Sequence, residues 1–135
     1  MRLIDTSVFI YAVGRPHPYK VSCLRLMEEL ERGEHEANID VEVLQEVLYH
    51  FWQRGRHRDA VEIFDRLAAA FPEPFPVTLA EARVARDIMS RHPRLEPRDA
   101  IHAAVVLVHG LEGIVSTDRG FDSITGLTRF DPMQL

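Results

Sequence analysis

The chain has 135 residues, of which 46% are hydrophobic and 27% are charged, values that are typical of one globular domain and exclude a disordered segment. Its 16 basic and 21 acidic residues give a net charge of −5, which argues against a general basic coat for nucleic acid but permits an acidic metal site beside local arginines. No apolar run approaches the roughly 18 residues of a membrane span, and no signal peptide is recognisable. We therefore expect a cytoplasmic protein with a single domain over residues 1–135.

The first half of the chain alternates short apolar runs with amphipathic segments. The predicted elements are a strand at residues 1–4, a short helix after Asp5, a helix from Tyr19 to Arg32, a strand at residues 36–39 and a helix that runs from an N-cap at Asp40 to near Gly55. The helix from Tyr19 is predicted from apolar residues that recur every three positions.

The second half continues this alternation. Its predicted elements are a helix at residues 58–71, a helix from a capping box at Thr78 to near His92, a buried helix from Pro97 to His109, a strand at residues 114–116 and a strand at residues 127–130. Short strands between helices predict an α/β fold with three layers, α/β/α, around a mainly parallel central sheet. Ligands of such sheets bind beyond the carboxyl ends of the strands.

Three aspartates are predicted to meet at that edge of the sheet. Asp5 follows the first strand, Asp118 follows the strand at residues 114–116, and Asp99 lies in the first turn of the buried helix. Each of them alone could be a helix cap or a turn former. Together they would repel one another unless a cation neutralised them. The group therefore indicates a divalent metal site.

The fourth acidic position is either Glu42 or Glu46, which lie one helical turn apart. At about 100° per residue, Glu42 lies nearly opposite the apolar stripe of its helix, whereas Glu46 borders the stripe. This favours Glu46 for the site and a solvated surface position for Glu42. Asp122 follows Asp118 by four residues, so it is either a fifth carboxylate of the site or a surface residue.

The available donor types favour Mg²⁺ or Mn²⁺ over zinc. Cys23 is the only cysteine, which excludes paired-cysteine zinc and redox motifs and leaves hard oxygen ligands. Carboxylate-bound ions of this kind suit hydrolysis of phosphodiesters, because they activate a water and stabilise the leaving oxygen. Thr6, Ser7 and Thr117 could hold a ligand, a water or a phosphate oxygen there, or could only cap the backbone.

Four blocks of the chain resemble one family of nucleases. They are Leu3–Ile10, Leu44–Leu48, Arg98–Ala104 and Val115–Asp122, and together they span almost the whole sequence. In order and spacing they resemble the PIN-domain ribonucleases, and most closely the VapC-type toxins of toxin-antitoxin pairs. The resemblance implies a PIN fold and an endoribonuclease that requires Mg²⁺ or Mn²⁺. It also implies a homodimer and a cognate antitoxin protein that covers the site.

The resemblance also assigns roles to individual residues. The positions that match the catalytic, metal-binding acids of the family are Asp5, Glu46, Asp99 and Asp118, with Asp122 at a frequently acidic fifth position and Thr117 at the usual hydroxyl. The sequence departs from the family pattern at the extra acid Glu42 and at Asp40, where a small hydroxyl residue is common. These departures leave the identity of the second acid open between Glu42 and Glu46.

Several basic and aromatic residues have two possible roles. Arg54, Arg56 and Arg58 could grip RNA phosphates, with Trp52 and Tyr49 stacking on a base, or could be solvated charges at a helix end. The same alternatives apply to Arg15, His17, Arg91 and Arg94. His102, three residues after Asp99, could orient a water in the site or could be a core histidine.

Two further classes of protein compete with a nuclease toxin. A phosphoryl-transfer domain is disfavoured because Lys20 is the only lysine and no glycine-rich phosphate loop is present. A catalytically silent PIN-like binding module would keep the acids without cutting RNA. Within the enzyme class, an RNA-processing PIN nuclease without an antitoxin is an alternative to the toxin.

Overall fold

The computed structural model describes residues 1–135 and places six α-helices around a four-stranded sheet. The strands are β1 (Arg2–Ile4), β2 (Ala37–Asn38), β3 (Ile114–Val115) and β4 (Arg129–Phe130). The helices are α1 (Thr6–Val13), α2 (Lys20–Glu31), α3 (Val41–Gln53), α4 (His57–Ala70), α5 (Leu79–Arg91) and α6 (Pro97–His109). Short 3₁₀ helices cover Arg119–Ser123 and Pro132–Gln134. None of the helices combines the length and apolar character that crossing a bilayer would need.

The sheet is parallel throughout, in the order β2-β1-β3-β4. The chain leaves β1 toward β2 on one side and later returns to add β3 and β4 on the other side. The strand order therefore reverses between β1 and β3, and the carboxyl ends of these two strands flank the position where parallel α/β sheets bind ligands.

Alternating side chains of the strands separate the core into two halves. Leu3 and Ile114 pack with apolar residues of α5 and α6, whereas Ile4 and Val115 pack with those of α1 to α4. The period of two along each strand produces this division, because successive side chains point to opposite faces of a sheet. The predicted α/β/α layering is confirmed.

The predicted strands are longer than the observed ones. The strand expected over residues 127–130 is wrong for its first two positions, because Leu127 N–H donates to Ile124 O in a turn and Gly126 has a φ of +81°. The strand expected over residues 36–39 pairs only at Ala37 and Asn38. The capping box of Thr78 and Glu81 and the position of Pro97 in the first turn of α6 are as predicted.

Candidate active site

A cavity of about 430 Å³ opens at the carboxyl ends of β1 and β3. Its lining includes all four of the acids expected from the sequence, namely Asp5, Glu46, Asp99 and Asp118. We call this space the acidic cavity. Four elements of the fold deliver these side chains. Asp5 caps α1, Asp118 caps the 3₁₀ helix at Arg119–Ser123, Glu46 lies on α3 and Asp99 lies on α6.

Asp5 is held by two serine hydroxyls. Ser7 Oγ and Ser116 Oγ each donate to Oδ2 of Asp5 at 2.6 Å, so this oxygen is fixed while Oδ1 is left for other contacts. The carboxyl is 5% exposed. Burial raises the pKa of Asp5, against the lowering effects of His102 and the two serines. A nearby cation would relieve this cost of burying a charge.

Glu46 is held in the same manner by two donors on one oxygen. The hydroxyl of Thr6 and Nε2 of His102 both contact Oε2, the latter at 2.7 Å. Its second oxygen, Oε1, lies 3.5 Å from Nε of Arg98. Burial opposes ionisation of Glu46, but the hydrogen bond and charge of His102 prevail and lower the pKa.

His102 is fully buried between two carboxylates. Its Nδ1 lies 2.7 Å from Oδ2 of Asp40, and its Nε2 faces Glu46 and lies 3.8 Å from Oδ1 of Asp5. Burial disfavours the charged ring, yet Asp40 and Glu46 raise the pKa of His102 well above its ordinary value. The residue is therefore an imidazolium that joins α6 to the second acid of the site. It is buried in the core and also contacts the site.

Asp99 ionises less readily than an ordinary aspartate. Burial, followed by the charge of Asp5 and of other acids nearby, raises the pKa of Asp99 to about 7. Asp118, in contrast, is exposed and accepts a hydrogen bond from Gly120 N–H at 2.7 Å through Oδ1. Its own N–H donates to Ser116 Oγ, so Ser116 bridges two of the acids.

Three further candidates from the sequence, Glu42, Asp122 and Thr117, lie beside the acidic cavity and do not line it. Glu42 lines a separate depression with Glu96 and Arg98 and does not line the acidic cavity. Both carboxylate oxygens of Asp122 accept from Arg129, at 2.8 and 3.3 Å, outside the cavity. Thr117 contributes its backbone N–H, which donates to Ser7 Oγ.

The rim of the acidic cavity carries positive charge and an aromatic ring. Arg54 and Arg98 both line it, and the guanidinium of Arg98 lies 5.8 Å from the ring centre of Tyr49. Among the other arginines expected to meet RNA, Arg56 lines an adjoining cleft, and Arg58 is 92% exposed beside Glu62 and lines neither space.

Three contributors were missed by sequence reasoning. The sequence placed Ser116 in a strand, Arg98 in one of the blocks that resemble the family, and Asp40 at the N-cap of a helix, and it gave none of them a role in the site. Asp40 offered a signal, because it follows β2 as Asp5 follows β1 and departs from the small hydroxyl expected there. Its partner, His102, could not be identified without knowing how α6 packs on α3.

A match to a known family accompanies this geometry. The profile of the PIN domain matches residues 2–127 of the chain, which is nearly its whole length. The chain belongs to the PIN-domain family. The strand-end acids and the parallel sheet described above are thus features of a PIN domain.

Similar proteins bear ribonuclease and toxin names. Over 129 residues this PIN domain is 35% identical to ribonuclease VapC13 of Mycobacterium tuberculosis, covering 96% of the chain and 98% of the relative. Its fold matches the crystal structure of M. tuberculosis VapC20, described as a toxin that cleaves the sarcin-ricin loop, with a TM-score of 0.75, 22% identity and coverage of 95% and 97%. It also matches a chain of a toxin-antitoxin complex from Klebsiella pneumoniae, with a TM-score of 0.68, 16% identity and full coverage of both chains.

Proposed function

We propose that this PIN domain is a VapC-type endoribonuclease toxin that uses Mg²⁺ or Mn²⁺ to hydrolyse RNA and is neutralised by a cognate antitoxin. The observation that carries the proposal is the convergence of Asp5, Glu46, Asp99 and Asp118 on one cavity. The ribonuclease names of relatives that match nearly the whole chain support the same chemistry.

The donors of the acidic cavity fit a hard divalent cation. The four acids of the cavity offer carboxylate oxygens, which Mg²⁺ and Mn²⁺ prefer. Burial raises the pKa values of Asp5 and Asp99, and the charges of neighbouring acids add to this effect, so a bound cation would favour the ionised form of both. The side chains do not form a ready-made coordination shell, since no group of three or more His, Cys, Asp or Glu residues is arranged as one. One reason is that Glu46 Oε2 is engaged by Thr6 and His102.

We assign the holding of the ion to Asp5, Glu46, Asp99 and Asp118, with Asp122 as a candidate for an outer position. A bound ion of this kind supplies a more acidic water and stabilises charge on the leaving oxygen of a phosphodiester. Ser7 and Ser116 bind Oδ2 of Asp5 and leave Oδ1 free of their hydroxyls. His102 and Thr6 likewise bind Oε2 of Glu46, so that only Arg98, at 3.5 Å, contacts Oε1. Arg54 and Arg98 on the rim can receive the phosphate charge of the substrate.

The structural neighbours support an antitoxin partner. The Klebsiella neighbour was solved as a toxin-antitoxin complex, and this supports an antitoxin for the present chain, whose exposed acidic cavity a partner could cover. We propose that residues 1–135 act as one nuclease unit in the cytoplasm, paired as a homodimer.

The test of the proposed function uses a matched pair of glutamates on one helix. Glu46→Gln and Glu42→Gln remove the same charge from α3, one inside the acidic cavity and one outside it. We expect Glu46→Gln to abolish cleavage of RNA and growth arrest on induced expression, and Glu42→Gln to retain both. Activity in both variants would refute the assignment, and inactivity of the wild type on RNA with unchanged partner binding would favour the silent binding module.

A further inference from the structure

A second cavity, of about 250 Å³, adjoins the acidic one and has the opposite charge. Its polar lining consists of Arg15, His17, His50, Arg54 and Arg56, and its lining contains no Asp or Glu. We call it the basic cleft. Three arginines with no acid among the lining residues are unusual in a chain with a net charge of −5, because scattered surface charges would be mixed with acids.

Two arginines of the basic cleft are available for a ligand. Arg15 and Arg54 are not among the arginines that pair with a carboxylate. Arg15 is exposed just after the end of α1, where a Cβ on Gly14 would lie 2.6 Å from Ile10 O and so only glycine allows the turn. Arg56, by comparison, is held by Asp59 and lies over the ring of Phe51.

His17 lines this cleft with one of its two ring nitrogens already engaged. The N–H of Tyr19 donates to Nδ1 of His17 at 3.1 Å, so the neutral ring carries its proton on Nε2. The ring packs on Tyr11 at 4.4 Å between centroids and lies parallel to Tyr19 at 5.9 Å. Tyr19 is in turn anchored by its hydroxyl, which donates to Asp131. The donor is therefore preorganised, and its aromatic surroundings offer a surface for a base.

The basic cleft and the acidic cavity are continuous along one wall. Ile10, His50 and Arg54 line both of them. Burial, followed by Arg54 and Arg56, lowers the pKa of His50, which keeps this shared residue neutral. A polyanion that places one phosphate in the acidic cavity can thus pass along Arg54 and place its next phosphate in the basic cleft.

We propose that the basic cleft is a binding site for single-stranded RNA, in which Arg15 and His17 hold the phosphate of a nucleotide that flanks the cleaved bond. The proposal rests on the proposed ribonuclease function, which brings RNA to the neighbouring cavity. Single-stranded RNA is favoured over an acidic peptide because the cleft combines phosphate donors with a cluster of aromatic rings, on which unpaired bases stack.

The experiment measures binding in the absence of cleavage. Wild-type protein in EDTA is titrated into a fluorescein-labelled, unstructured oligoribonucleotide of about twelve nucleotides, and anisotropy is read at several salt concentrations. The variants are Arg15→Ala, and His17→Phe, which keeps a ring and removes the donor. Arg86→Ala is the matched control, because Arg86 is an exposed arginine on α5 that lines neither cavity.

We expect Arg15→Ala to weaken binding by about fivefold and to reduce the salt dependence of log K by about 0.7, the contribution of one phosphate on a single strand. His17→Phe should weaken binding by about threefold, and Arg86→Ala should bind as wild type does. Equal loss in Arg86→Ala, no loss in Arg15→Ala, or no binding by the wild type would overturn the proposal, as would equally tight binding of a glutamate-rich peptide. Arg15-dependent binding in a protein that cuts no RNA would refute the proposed function and still support the cleft.

Discussion

Nε2 of His102 lies 2.7 Å from Oε2 of Glu46, while its Nδ1 lies equally close to Oδ2 of Asp40. The three groups form a buried row of carboxylate, imidazolium and carboxylate that runs from the end of β2 to the acidic cavity. This arrangement gives the second acid of the site a fixed orientation from the core side, because His102 comes from α6 and Glu46 from α3.

Replacement of His102 should destabilise the protein strongly. His102→Leu leaves the carboxylate of Asp40 buried without a cation and leaves Glu46 with only the more exposed Arg98, and we expect the free energy of unfolding to fall by about 3–5 kcal/mol. Urea unfolding measures this loss. The control is His109→Leu, since His109 also contacts a glutamate, Glu81, but is 31% exposed in its side chain and should cost about 1 kcal/mol.

The loss should be partly recovered by removing the charge of Asp40. The double variant Asp40→Asn, His102→Leu no longer buries the unpaired carboxylate of Asp40. It should therefore be more stable, by about 1 kcal/mol, than the sum of the two single changes predicts. Strict additivity of the two changes would contradict the role assigned to His102.

Asp99→Asn should stabilise the metal-free protein near neutral pH. The pKa of Asp99 is raised to about 7 in the folded chain, against about 3.9 in an unfolded one. Between these values the folded state holds a proton that the unfolded state has lost, so the contribution of Asp99 to stability decreases as the pH rises through this window. Asp99→Asn cannot ionise, so it does not lose stability in this way as the pH rises.

Thermal unfolding in EDTA measures the difference. The melting temperature of Asp99→Asn should match that of the wild type near about pH 4 and exceed it by roughly 10 °C above about pH 7. A difference that is independent of pH would show that Asp99 is not protonated in the folded protein.

Metal binding should release a proton from Asp99. Because the ligand must be ionised, affinity for Mn²⁺ should rise with pH, by up to about tenfold per unit below about pH 7, and level off above it. Electron paramagnetic resonance of free Mn²⁺ gives the affinity without any RNA. Asp118→Asn, which keeps Asp99, should bind more weakly with a profile of the same shape that levels off at lower pH, because the charge of Asp118 helps to raise the pKa of Asp99. Asp99→Asn should lose the pH dependence.

Asp122 should matter much less than Asp118 for cleavage. Its carboxylate is bound by Arg129, whose Nη1 also donates to Ser116 O. We therefore expect Asp122→Asn to stay within about twofold of wild-type activity, while Asp118→Asn falls to background. Kinetics on one labelled RNA compare the two, and equal loss would assign Asp122 to the metal shell.

The fold was predictable because its signals are local. Apolar periodicity located the helices. Asp5 and Asp118 could be identified because each of them follows a short apolar strand. Glu46 could be preferred over Glu42 because one borders the apolar stripe of α3 and the other does not. Strand lengths were overestimated, since pairing in a sheet of two- and three-residue strands is decided by neighbours that the local sequence does not reveal.

The supporting groups of the site were not predictable for a related reason. Ser116 contacts Asp5, and His102 contacts Asp40, across 111 and 62 residues of sequence. No local pattern encodes such pairs. The basic cleft likewise forms only when the loop after α1 meets the end of α3, so Arg15 and Arg54 could not be joined from the sequence alone.

The most direct test of the account is RNA cleavage by the wild type and by Asp5→Asn, purified in parallel and assayed with Mg²⁺, with Mn²⁺ and with EDTA. The account predicts cleavage by the wild type with either metal, none in EDTA, and none by Asp5→Asn under any condition. Equal cleavage by both proteins, or wild-type cleavage that persists in EDTA, would contradict it.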